Sequence, residues 1–267
     1  MQKFTITIIV ILAVSLAAIL AMQYCKAPTS VQISYVPPES SPGLHVLFLG
    51  NSYTFFNNLP RMIAGIAASD TINPVKIQPG IFSMDGATLE SLWKANLAQN
   101  MIRSRHWDYV VLQEQSLTPV VAGLIPAMQD AMTRWSRLIQ TSGATPIVFE
   151  TWARKGGSDW YDSTKYPGLD LGDPDKMQAR IDGTTNGIAE QLRLRVIPVG
   201  DYWATCSKLK GLPDLYYEDG SHPSIAGDYL TALLFYRYLT GHNLEHITYV
   251  PAGVSKEKAQ LLIRCAS

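Results

Sequence analysis

Ser52, Asp219 and His222 are the residues of this chain whose types and spacing could do covalent chemistry. Ser52 stands in Val46-Leu-Phe-Leu-Gly-Asn-Ser-Tyr-Thr54, where an apolar run stops at Gly-Asn-Ser. Asp219 and His222 lie close together in Glu218-Asp-Gly-Ser-His-Pro-Ser224, far downstream. A serine hydroxyl is a weak nucleophile until a base takes its proton. His222 is such a base, and Asp219 is spaced to hold its imidazole in one tautomer. A set of this kind transfers acyl groups from esters, given donors for the oxyanion. The candidate donors are the Ser52 backbone N–H, a glycine-loop N–H in Ser83-Met-Asp-Gly86, and the side-chain amide of Gln113 or Gln115.

A fold must gather these distant residues. Apolar strand-like runs occur at 45–49, 75–78, 109–112, 146–149 and 196–199, and helix-like stretches at 59–68, 89–102, 121–141 and 175–192. A last helix is expected from near Pro223 to about Leu239, since proline suits a first helical turn. Short, continuously apolar strands alternating with helices predict a parallel sheet covered on both faces. In such sheets ligands bind beyond the carboxyl ends of the strands. Ser52 follows the first strand, Gln113-Glu-Gln-Ser116 the third and Glu150-Thr-Trp152 the fourth, so all emerge on one edge. Residues 159–175, rich in Gly, Asp, Tyr and Pro, are expected to form a long excursion near the mouth of the site.

Gly50-Asn-Ser52 resembles the Gly-Asp-Ser block of the SGNH (GDSL-type) hydrolases. Gly86 falls where that family has its lone oxyanion glycine, and Asp219-x-x-His222 matches its final Asp-x-x-His block. The resemblance spans roughly residues 44–240. It implies an α/β protein of three α/β/α layers, flavodoxin-like, with a five-stranded parallel sheet. It also implies esterase or acyl-transfer activity, with Ser52, Asp219 and His222 catalytic and Ser52, Gly86 and Gln115 at the oxyanion. The family's third block is usually Gly-x-Asn-Asp, and Leu112-Gln-Glu-Gln-Ser116 stands in its place. Counting from the strand end puts Gln115 where the family has Asn. Glutamine donates the same amide hydrogen bond from one methylene further away, and Gln113 remains a competitor. Around Ser52 a Gly-x-Ser-x-Gly elbow is missing, because Thr54 occupies its last position, which disfavours an α/β-hydrolase.

Each of these signals also has a purely structural reading. Gly-Asn-Ser serves many strand-to-loop turns for backbone reasons. Asp219 or Ser221 could simply cap the last helix. His45 reads as a buried, hydrogen-bonded residue and Asp85 as a turn former. Glu114 reads as a loop-stabilising residue or a substrate contact, and Trp152 and Trp160 as packing residues or platforms for a sugar. It is the combination of Ser, Gly and Asp/His in this order that selects the catalytic reading.

Lys+Arg and Asp+Glu are each 22, so nothing draws the chain electrostatically to nucleic acid. Residues 4–22 carry no charge and follow Lys3. At about 1.5 Å per residue they nearly match a hydrocarbon core of about 30 Å. Residues 1–26 are therefore expected to be a membrane anchor or a cleaved signal, 27–43 a Pro/Ser linker, and 44–267 one catalytic domain, exported in either case. Cys206 and Cys265 either form a bridge in an oxidising compartment or remain two thiols. No Cys-x-x-Cys and no Cys/His cluster with zinc spacing occurs, so neither metal nor cofactor is expected. The leading expectation is a serine ester hydrolase acting on an acyl ester, acetyl first, of an extracytoplasmic carbohydrate or small molecule. An O-acyltransferase with the same residues and a non-catalytic carbohydrate-binding module are the alternatives.

Overall fold

The structure, a computed structural model, describes residues 32–267. Residues 44–50 show why the chain folds in layers. Every side chain from His45 to Gly50 is buried, with Val46 and Phe48 in one apolar cluster and Leu47 and Leu49 in another. A strand buried on both faces must be covered on both. Six strands make up the sheet: β1 (Gln32–Tyr35), β2 (Leu44–Gly50), β3 (Ile77–Met84), β4 (Tyr109–Gln113), β5 (Thr145–Phe149) and β6 (Arg195–Ile197). Their order is β1-β3-β2-β4-β5-β6, with β2 to β6 parallel and β1 antiparallel to β3.

Nine helices surround the sheet among the described residues: α1 (Ser52–Phe55), α2 (Leu59–Ser69), α3 (Leu89–Ala95), α4 (Leu97–Arg103), α5 (Ile125–Thr141), α6 (Pro174–Leu192), α7 (Val199–Cys206), α8 (Ile225–Thr240) and α9 (Lys256–Ala266). Helices α2 and α8 carry the cluster on one face, and α3, α4 and α5 that on the other. The three-layer α/β/α architecture is the expected one. The five parallel strands stand in the flavodoxin-like order, which reverses between β2 and β4.

The expectation of a five-stranded, wholly parallel sheet is corrected. A sixth strand, β1, comes from within residues 27–43, read as a linker. Its four residues, QISY, hold no apolar run, yet Ile33 packs against the core. Gln32 pairs with Met84 and Tyr35 with Ile81, so β1 enters at the carboxyl end of β3. The expected helix over 89–102 breaks at Asn96, whose φ of 58° ends α3. The last long helix starts at Ile225, not Pro223. Its N-cap is Ser224, which accepts the Gly227 N–H at 3.1 Å, so neither Asp219 nor Ser221 serves as that cap.

Helices α7 and α9 are tied by the Cys206–Cys265 disulfide, with Cα atoms 6.0 Å apart across a sequence separation of 59. A loop of that size corresponds to about 4 kcal/mol of chain-entropy stabilisation. Among the described residues no helix is long and apolar enough to cross a membrane. Residues 4–22 and Cys25 lie outside the described residues.

Candidate active site

Register sets the edge. Gly50 pairs with Ser83, Leu49 with Leu112 and Gln113 with Phe149, so the carboxyl ends of β2 to β5 lie side by side. Gly50 is required by close approach, since a Cβ there would lie 2.4 Å from Gln113 Oε1 and 2.4 Å from Thr54 Oγ1. Asn51 then braces the turn. Its N–H donates to Gln113 Oε1 at 2.9 Å, its Nδ2 to the Ala87 carbonyl at 2.9 Å, and its Oδ1 accepts the Tyr53 N–H at 3.1 Å. Ser52 is the first residue of α1, so its backbone N–H has no partner within the helix.

Ser52 and His222, 170 residues apart, meet with Oγ 2.8 Å from Nε2. His222 Nδ1 lies 2.5 Å from Asp219 Oδ2. The other Asp219 oxygen accepts the backbone N–H groups of Ser221 and His222, each at 2.9 Å. Burial pushes the Asp219 carboxyl up. The hydrogen bonds from His222 and from the two backbone N–H groups outweigh that and hold it below the usual carboxylate range. An ionised carboxylate can only accept, so Nδ1 carries the imidazole proton and Nε2 faces Ser52 as an acceptor.

Aromatic rings bring the two loops together. The Phe56 ring stacks on His222 with centroids 4.7 Å apart. Tyr53 stacks on Trp152 at 4.5 Å, and Trp152 on Trp203 at 3.8 Å. Tyr53 Oη lies 2.8 Å from Ser221 Oγ, and Trp152 Nε1 donates to the Ser221 carbonyl at 3.0 Å. Asn57 Nδ2 donates to the Pro223 carbonyl at 3.0 Å and to Asp228 Oδ2 at 2.8 Å.

Gly86 sits in a turn closed by the Ala87 N–H on the Met84 carbonyl at 3.1 Å. Its φ of 63° is left-handed, where a side chain would be strained. Ser52, Gly86, Gln115 and His222 all line one cavity of about 420 Å³. Gln115 Oε1 accepts the Leu117 N–H at 2.6 Å, which fixes the amide and leaves its Nε2 to donate elsewhere. Gln113 is fully buried and spent. Its Oε1 holds both the Asn51 N–H and the Thr54 hydroxyl at 2.9 Å, and its Nε2 the Glu114 carbonyl at 2.7 Å.

The remaining sequence candidates divide cleanly. Glu114 is buried beside the cavity, accepting the Gln115 N–H at 2.6 Å and the Leu89 N–H at 3.3 Å, and burial pushes its carboxyl up to about 7. It stabilises the loop. Trp152 is wholly buried packing, whereas Trp160, with Asp85, lines the cavity. Residues 159–175 supply Trp160 and Tyr166 to that wall, as expected of an excursion at the mouth. His45 is buried between the Ser41 carbonyl, 2.7 Å from Nε2, and Arg105.

Among the described residues, Glu150, Asp182 and Asp201 bring carboxylate oxygens within 4.8 Å of one another. Burial and the neighbouring Asp182 and Asp201 charges push Glu150 up, and burial likewise raises Asp182. None of the three lines the Ser52 cavity. Sequence reasoning missed Tyr53, Phe56, Asn57 and Arg154. Their signal was position alone, flanking Ser52 or following the fourth strand.

No protein-family model and no curated protein matches the sequence. Solved structures do match in fold. A candidate SGNH hydrolase from Slackia heliotrinireducens is 24% identical, with a TM-score of 0.61 over 74% of this chain and 100% of that one. A DUF4886 family protein from Bacteroides uniformis is 17% identical, with a TM-score of 0.67 over 84% of this chain and 93% of its own. Axe2, an acetylxylan esterase from Geobacillus stearothermophilus, is 15% identical, with a TM-score of 0.55 over 76% of this chain and 97% of its own. A six-stranded α/β/α sheet with Ser52 and His222 hydrogen-bonded at its carboxyl edge, and these structures as likenesses, give one conclusion: the chain has the fold of the SGNH hydrolases.

Proposed function

We propose that the protein is a serine ester hydrolase of SGNH type that removes an acyl group, acetyl first, from an extracytoplasmic carbohydrate or small ester. One observation carries this reading: the Ser52–His222–Asp219 chain of hydrogen bonds, at 2.8 and 2.5 Å, opening on a cavity. His222 Nε2 takes the Ser52 proton as Oγ attacks the ester carbonyl carbon. The tetrahedral oxyanion receives the N–H groups of Ser52 and Gly86 and the Gln115 amide. His222 then returns the proton to the departing alcohol, and water repeats the sequence in reverse to free the acid and Ser52. Export, by an anchor at residues 4–22 or by a cleaved signal, is part of the proposal. The Cys206–Cys265 disulfide supports it, because such bridges persist in oxidising compartments.

The decisive experiment gives the full chain a panel of acetylated sugars and short aryl esters, with free acid and acylated acceptor both quantified. Acid release with modification of Ser52 by an aryl phosphonate is the expected result. Transfer to a sugar hydroxyl in preference to water would make the protein an acyltransferase. Sugar binding without turnover or labelling would make it a binding module.

The two glutamines separate by readout. Gln115→Ala removes an oxyanion donor, so kcat falls roughly 10²–10³-fold with little change in KM, and it leaves one backbone donor, the Leu117 N–H, without its acceptor. Gln113→Ala leaves two, the Asn51 N–H and the Thr54 hydroxyl, at about 1–3 kcal/mol each. Its signature is the larger fall in Tm. Thermal melts beside steady-state kinetics distinguish the two, and an unchanged kcat in Gln115→Ala removes that residue from the oxyanion site.

A further inference from the structure

Arg154 lines the same cavity as Ser52, yet the residue is only 3% exposed. Its Nη1 donates to the Tyr53 hydroxyl, which also meets Ser221 Oγ at 2.8 Å, next to His222. Its Nε is buried without an acceptor, and among the described residues the one hydrogen bond its guanidinium makes is that from Nη1. Among the described residues no carboxylate pairs with it. Asp85 lines the cavity without reaching it, and Asp219 is engaged by His222. The charge instead faces rings, with Cζ 4.6 Å from the Trp160 centroid and 5.7 Å from that of Tyr53. The backbone around it is clamped, since the Tyr161 hydroxyl donates to the Arg154 carbonyl at 2.8 Å.

A permanently charged group held out of water costs free energy unless a counter-charge reaches it. Aromatic faces offset part of that cost, but they leave the N–H donors of the Nε–Nη2 edge unmet. That edge is the fork to which a carboxylate docks with two parallel hydrogen bonds. Resting on the esterase reading, we propose that Arg154 selects substrates carrying a carboxylate beside the scissile ester, as an acylated uronic acid unit does. The ester then lies at Ser52 while the carboxylate neutralises Arg154, and Trp160 shields the pair from solvent.

Two matched substrate pairs test this on the full chain. One is an O-acetylated methyl uronoside against its carboxamide, and the other is 4-acetoxybenzoate against 4-acetoxybenzamide. The acid of at least one pair is expected to show roughly 10²-fold higher kcat/KM, chiefly through KM, because an unmet buried charge is what the amide leaves behind. Which pair shows the preference tells a saccharide carboxylate from a small acidic ester. In Arg154→Met the acid-to-amide ratio falls to about one, and in Arg154→Lys, which keeps the charge and loses the fork, it is intermediate. Affinities of the same ligands for Ser52→Ala, which need no turnover, are expected to show the same preference. Amides handled as well as acids in both pairs, in kinetics and in binding alike, would overturn the assignment. Neutral ester hydrolysis with Ser52 labelling would then leave the esterase reading standing. An acid preference in binding without any turnover would do the reverse.

Discussion

Ser52→Ala is expected to lower kcat/KM for any ester substrate by roughly 10⁴–10⁶-fold, the loss typical of deleting a nucleophile that works as a unit with its base. The Tm should barely move. The Ser52 hydroxyl makes one hydrogen bond, to a partly exposed His222, and the turn is braced by Asn51 and Gln113. Because nucleophile and base act together, Ser52→Ala/His222→Ala should be no slower than either single variant. Circular dichroism melts alongside burst kinetics with an aryl acetate check both halves. Turnover within tenfold of the parent in Ser52→Ala would remove the serine mechanism.

The second large effect belongs to Asp219→Asn. One oxygen of Asp219 accepts two backbone N–H groups, and the other faces His222 Nδ1. In the asparagine variant the remaining oxygen stays with the backbone donors, because the amide NH₂ cannot accept from them. The NH₂ is then turned to His222 Nδ1, which must become an acceptor. The imidazole proton moves to Nε2, and the ring offers Ser52 a donor where it needs a base. The expected result is a fall in kcat of about 10³–10⁴-fold with KM nearly unchanged, from a folded protein. The proton position is readable by ¹⁵N NMR of the imidazole, with Nδ1 protonated in the parent and Nε2 in the variant. A variant that kept its Nδ1 proton and its rate would show that Asp219 only shapes the loop.

β2, β4 and β5 were legible because each is a short, mostly apolar run that needs cover on both faces, whereas β3, with Pro79 and Gly80 inside it, shows as an apolar pattern only at its start and runs on to Met84. β1 was not, because an edge strand of four residues needs no apolar pattern of its own. The break at Asn96 was hidden inside a good helical pattern, since a single left-handed residue changes direction without changing periodicity. The reactive residues could be read because Gly-Asn-Ser ends an apolar run, and Asp-x-x-His sets a base and a carboxylate to orient it three residues apart. What holds them could not. Phe56 on His222, Tyr53 between Arg154 and Ser221, and Asn57 on Pro223 are contacts between ordinary residue types far apart in sequence. The choice between Gln113 and Gln115 turned on where β4 stops. Gln113 still belongs to the strand and points its amide into the protein, and two residues later the chain has reached the cavity.

The direction of β1 decides on which side the chain enters the domain. It begins opposite Met84, on the edge that bears Ser52, and runs away from it. Entry to the sheet and entry to the cavity therefore share one side, and the opposite end of the strands is left clear of both.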